Sequence, residues 1–175
     1  MRKILTLASL SLLAGCATVV PPAPGPAAPA PVPVYTPPAP PPPAASSDWR
    51  DWAVTPGTWA YRQDARGSIA LFGARDADAQ FTIRCDRQAQ QLYLSRKGAA
   101  PGAMTIRTST TARSLTAQPS GGTPAYMAVA LPVSDQLIDA MGYSRGRFIV
   151  ETAPLPALVI PAWSEVLRVA EDCRR

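Results

Sequence analysis

Histidine is absent from all 175 residues, which removes the imidazole general base and every histidine metal ligand at once. Lysine is almost absent as well. Beyond Lys3 there is only Lys97, with Ser95 two positions earlier; that is not the Ser-x-x-Lys spacing that sets a serine nucleophile and its lysine on one helix face. The three cysteines, Cys16, Cys85 and Cys173, form no CxxC pair, so a thioredoxin-like redox centre has no basis. The longest apolar run, Ile4 to Leu13, is too short for a permanent membrane helix.

Charge of either sign is also modest. Seventeen basic residues stand against twelve acidic ones, and setting aside Arg2 and Lys3 leaves fifteen against twelve, too few and too dispersed to point to nucleic acid. Carboxylate pairs that can hydrolyse a glycan are limited to Asp76 with Asp78, Asp135 with Asp139, and Glu165 with Glu171 or Asp172. Asp76 and Asp78 fall in a polar turn, where capping accounts for them, and no ordered oxygen cage for calcium surrounds them. Asp135 and Asp139, four apart on a short helix, read as a solvated face. The sequence therefore predicts no enzyme, no catalytic residue, no bound metal and no dissociable cofactor.

What is present is organised in three parts. Residues 1–15 open with Arg2 and Lys3, continue through the apolar run and end in small residues, the order of a secretory signal. The ending Leu13-Ala14-Gly15-Cys16 resembles the lipobox of bacterial lipoproteins. The resemblance implies cleavage before Cys16, diacylglycerol on its thiol and an acyl chain on the new amino terminus. Each buried CH₂ adds about 0.8 kcal/mol, so two or three chains anchor stably in membrane lipid. Ala17 stands where an aspartate retains such lipoproteins in the inner membrane, so the resemblance implies an outer-membrane anchor with the body facing the periplasm.

Residues 16–47 read as the anchor and a tether. From 21 to 43 more than half of the positions are proline, which fixes φ and removes the amide hydrogen. The expectation is an extended spacer reaching roughly 90 Å at about 3.1 Å per residue, with a docking segment as the alternative.

Residues 48–175 read as one mainly-β domain, a small β-sandwich or partly open barrel. Period-2 segments recur at 58–62, 68–72, 80–85, 91–95, 104–108, 112–117, 126–131, 147–151 and 157–160, punctuated by Asp, Gly and Pro. Two helices interrupt them. Ser134 caps a short one carrying Leu137, Ile138 and Met141 with Gly142 as its stop; Pro161 starts a second, with Trp163, Val166, Leu167, Ala170 and Cys173 on the apolar side and Glu165, Arg168, Glu171 and Asp172 on the other. That stripe brings Cys173 to the inner face, where Cys85 ends the inward set of its strand. In an exported chain a Cys85–Cys173 disulfide is the first expectation and two buried thiols the alternative.

The stretch from Leu137 to Cys173, with Gly142-Tyr143-Ser144-Arg145-Gly146-Arg147 before two strands and a helix ending in cysteine, resembles small periplasmic β-sandwich proteins of the invasion-associated locus B type and accessory proteins of secretion systems. The whole chain is also similar to envelope lipoproteins of alphaproteobacteria that close on a tryptophan-bearing Glu-Asp-Cys-Arg helix. Both resemblances imply an envelope accessory or interaction module and carry over no active residue.

Two surface features remain for binding. Arg145 and Arg147 flank a flexible turn, and Arg107 and Arg113 flank the hydroxyl-rich Thr108 to Thr111; if they meet at one end of the sheet they suit carboxylates or phosphates. Trp49, Trp52, Trp59 and Tyr61 cluster at the domain's start, either covering an open sheet edge or presenting Trp49 and Trp52 to a ligand. The functional expectation is a non-enzymatic lipoprotein serving as an envelope structural or interaction accessory, with an envelope protein as its partner. The alternative is a binding module for peptidoglycan, an envelope peptide or a lysozyme-like enzyme.

Overall fold

The computed structural model describes residues 48–99 and 101–175; the leader, Cys16 and the proline-rich stretch lie outside the described residues. Nine strands follow in order: β1 (Thr58–Asp64), β2 (Gly67–Gly73), β3 (Phe81–Asp86), β4 (Gln91–Lys97), β5 (Gly102–Arg107), β6 (Ala112–Pro119), β7 (Tyr126–Pro132), β8 (Arg147–Thr152) and β9 (Leu155–Pro161). Helix α1 (Gln136–Gly142) lies between β7 and β8, and α2 (Ser164–Arg174) follows β9. Every strand pairs antiparallel in one open sheet of order β1-β2-β3-β4-β7-β6-β5-β8-β9. All nine strands expected from the alternation are present.

The sheet curls until its edges approach. The Thr55 amide, just ahead of β1, donates to the Val159 carbonyl on β9 at 2.9 Å, and the Val159 amide donates to the Thr55 hydroxyl at 2.9 Å. The Trp59 indole N–H of β1 reaches the Pro161 carbonyl at 2.9 Å. The edge is thereby blunted by a returning segment and a tryptophan, as expected for residues 48–59. Phe81 on β3 and Phe148 on β8, far apart in strand order, meet edge to face with ring centroids 6.1 Å apart.

The inner face is read from the register. One cross-strand row runs Ala70, Ile83, Leu94, Val129, and the next runs Trp59, Phe72, Phe81, Arg96, Met127. All of these are buried, and all but Arg96 are apolar. Helix α2 packs on this face across β1, β2 and β3, and Cys173 is bonded to Cys85 with their Cα atoms 5.3 Å apart. Gly67, at φ +146°, makes room for that strand: a Cβ there would lie 2.8 Å from the Cys85 carbonyl.

The helix termini depart from the sequence-based expectations in instructive ways. Asp135, not Ser134, caps α1, its carboxylate accepting from the Leu137 amide at 2.8 Å; the Asp135 amide is itself turned back to Pro132, which puts the longer acidic side chain at the cap. Gly142 is the last helical residue rather than a stop beyond it, and a Cβ on it would overlap the Leu167 side chain of α2. Pro161 ends β9, so α2 begins only at Ser164. Trp163 therefore precedes the helix and stands about half exposed, and the buried stripe is Val166, Val169, Ala170 and Cys173.

Asp172, placed on the solvated side by the sequence, is buried and accepts the Tyr61 hydroxyl at 2.5 Å. Burial works to raise its pKa, but the Tyr61 hydrogen bond and the charges of Arg175 and Arg168 outweigh it and hold the carboxyl below the usual aspartate value.

Candidate functional site

The Thr108–Thr111 and Ser144–Arg147 loops lie side by side. The Ser109 amide donates to the Ser144 hydroxyl at 3.0 Å, and the Arg145 amide donates to the Ser109 hydroxyl at 3.3 Å. Their guanidinium groups, however, go to different partners. Arg113 grips Asp135 through two bonds of 3.0 and 2.7 Å, Arg107 lies 3.5 Å from Glu151, and Arg147 donates to the Trp52 carbonyl at 2.5 Å. Arg145 and Arg147 have no ion pair among the described residues, and of the two only Arg145 is exposed. Asp135 is thus not a solvated residue: burial acts to raise its pKa, and Arg113 together with the Leu137 amide outweighs it and lowers it. Asp139, also expected on a solvated face, is held by both terminal nitrogens of Arg174 at 2.8 and 2.9 Å.

Trp49 and Trp52 are half-buried, outside the core, with the Arg50 guanidinium 5.0 Å from the centre of the Trp49 ring. Lys97 is bound to Asp78 at 2.8 Å, and Asp76 sits at φ +63°, a turn conformation that short polar side chains tolerate. Among the described residues no three His, Cys, Asp or Glu side chains group as metal ligands, and no helix is long and apolar enough to cross a membrane.

A broad concavity lies where the sequence reading placed no site, on the outer face of the sheet. A trough of about 760 Å³ crosses β2, β3, β4, β7 and β6. Its floor follows from the register: the outward row Leu71, Thr82, Ser95, Ala128, Gln118 has its short side chains in the middle strands and its longer ones at the two sides. A sheet face with small residues at its centre leaves a hollow that long side chains would fill. The next row, Ile69, Arg84, Tyr93, Ala130, extends it.

The cations at the β2–β3 end of the trough are each ion-paired. Arg84 pairs with Asp64 at 2.8 Å and Arg66 with Asp86 at 2.6 Å. The Arg84 hydrogen bond holds the Asp64 carboxyl below its ordinary pKa; for Asp86 the Ala89 amide is the larger cause and Arg66 the second. At the other end the Tyr126 hydroxyl donates to the Ala79 carbonyl at 2.8 Å, and burial, with the charge of Asp78, pushes its pKa up. The signal for this trough was in the strands all along, in the outward set Thr82, Ser95 and Ala128, but it becomes legible only when the order β3-β4-β7 sets those residues side by side.

Compared with family models, curated proteins and solved structures, the chain matches none.

Proposed function

We propose that this chain is a lipid-anchored accessory protein of the outer membrane, its body facing the periplasm, that acts by holding a partner rather than by catalysis. The anchor reading rests on Leu13-Ala14-Gly15-Cys16 and on Ala17. The observation that carries the binding reading is the outer-face trough with its short-chain floor.

The occupant is an uncharged, extended peptide segment of an envelope protein. Five strands at about 4.8 Å spacing make a channel roughly 19 Å long, the length of about six extended residues. The ion pairs at the β2–β3 end and the uncharged residues at the β6–β7 end offer no net charge to a partner. Leu71, Ile69, Ala128 and Ala130 supply aliphatic contact, and Thr82, Ser95 and Gln118 supply hydroxyl and amide partners. A glycan strand, the competing class, prefers aromatic rings beneath its sugar faces, whereas Tyr93 and Tyr126 stand beside a floor of Leu71, Thr82, Ser95, Ala128 and Gln118.

The test is photocrosslinking in intact cells from a benzophenone side chain at Thr116, on the rim. The adduct should be a peptide of uncharged, aliphatic-rich sequence from an envelope protein, and Ala128→Trp, which fills the floor from the solvent side, should reduce it about tenfold or more. A disaccharide adduct would replace the peptide with peptidoglycan. Capture no greater than from the same group at Gln136, on α1, would remove the trough from consideration.

A further inference from the structure

Arg96 stands alone in its surroundings. Its row on the inner face is otherwise Trp59, Phe72, Phe81 and Met127, and Arg96 itself is only 4% exposed. Among the described residues no carboxylate forms an ion pair with it. Nη1 donates to the Gln80 carbonyl, the Gln80 side-chain oxygen and the Lys97 carbonyl at 3.2, 3.1 and 3.2 Å, and Nη2 has one long bond of 3.4 Å to the Pro156 carbonyl. Nε is buried and has no hydrogen-bond partner among the described residues. A guanidinium keeps its charge in a protein interior, and leaving one of its N–H groups buried and unpaired is costly.

The satisfied and unsatisfied atoms fall on different sides of the group. Nη1 is oversubscribed, while the edge formed by Nε and Nη2 holds a single weak bond. That edge has the spacing of the two oxygens of a carboxylate and accepts them side by side. Arg96 also lines a cleft of about 710 Å³ where residues 53–56, the end of β4 and the start of β9 converge. Val54, Pro56, Leu155 and Leu158 make its walls mostly apolar, and its other cation, Lys97, is already bound to Asp78.

We propose that the Nε/Nη2 edge of Arg96 anchors a second binding site, for the carboxylate of a small molecule or chain end with an apolar body that fills this cleft. A purely architectural role, tying β4 to β9 through Pro156, needs only one donor and leaves Nε unexplained. Because Nε is hidden from solvent, the carboxylate gains the fork only as the cleft wall yields, and the apolar body supplies the contact that favours this. Fatty acids and peptide chain ends with aliphatic side chains share this chemistry.

The full chain carrying Cys16→Ser, labelled with ¹⁵N, is titrated with octanoate and with N-acetyl-alanyl-leucine, and in parallel with the primary amide of each. The acid that binds should shift the Nε–H resonance of Arg96, assigned by its loss in Arg96→Lys, and which acid does so identifies the source. Its amide should bind at least about tenfold more weakly, and Arg96→Lys, which keeps the charge and loses the fork, should lose about tenfold as well. Should that variant not fold, the acid and amide comparison on the unsubstituted residue still decides. No shift at Arg96 up to about 10 mM of either acid, or equal binding of acid and amide, overturns the proposal.

Discussion

Replacing Cys85 and Cys173 together by alanine is expected to lower the unfolding free energy of the folded unit by roughly 2–5 kcal/mol, read as a lower urea midpoint. The two residues are 88 positions apart, so the bond closes a long loop in the unfolded chain and removes much of its conformational freedom. In the folded state it pins α2 to β3, the third of the nine strands. The stability of a typical domain is only about 5–15 kcal/mol, so the bridge is a large fraction of it. A midpoint unchanged by the double substitution, or by reductant, would mean that α2 is held by packing alone.

Phe148→Ala should cost about 3–5 kcal/mol, comparable to losing the bridge, and should lower Tm by more than about 10 °C. Phe148 is fully buried and meets Phe81, also fully buried, across the interior of the curled sheet. The contact joins β3 to β8, strands separated by four others in the sheet order, so truncation opens a cavity between the two halves of the sheet instead of within one. Tyr93→Ala, on the outer face, removes a ring of similar size at a half-buried position and should change stability much less. Equal losses for the two variants, by thermal melts, would contradict the assignment of inner and outer faces.

Most of the nine strands were legible because one face lies in the core, which period-2 alternation with Gly, Pro and Asp at the ends records directly; β8 and β9, with consecutive buried residues, read instead as short apolar runs. The inward set Phe81, Ile83, Cys85 and the stripe ending at Cys173 likewise placed the bridge. What escaped was anything depending on which strands become neighbours. The hollow above Thr82, Ser95 and Ala128 belongs to three strands, one of them distant in sequence, and no single strand announces it. Arg96 continues the inward period of Leu92 and Leu94, a local signal that an arginine would be buried, but only the order β3-β4-β7 reveals that its neighbours are aromatic and apolar. The helix ends shifted for a simpler reason. A proline read as a helix start serves equally as the last residue of an edge strand, and three residues of displacement left Trp163 ahead of the helix; Asp172 is turned inward where Tyr61 of β1 meets it.

The basic cluster shows the limit of reading charge from spacing. Arg107, Arg113, Arg145 and Arg147 do gather around two hydrogen-bonded loops, yet Asp135 and Glu151 arrive from α1 and β8 to take two of them. Ion pairs between elements distant in sequence are invisible until the fold is known, and a guanidinium already holding a carboxylate has less to offer a ligand.

Where the chain is held decides what it can bind, and intact mass analysis of the amino-terminal peptide from cell membranes tests that most directly. The mature chain is expected to begin at Cys16, with diacylglycerol on the thiol and an acyl chain on the amine, and to remain with the outer membrane after cell disruption. An unmodified amino terminus on protein recovered in the soluble fraction would contradict it.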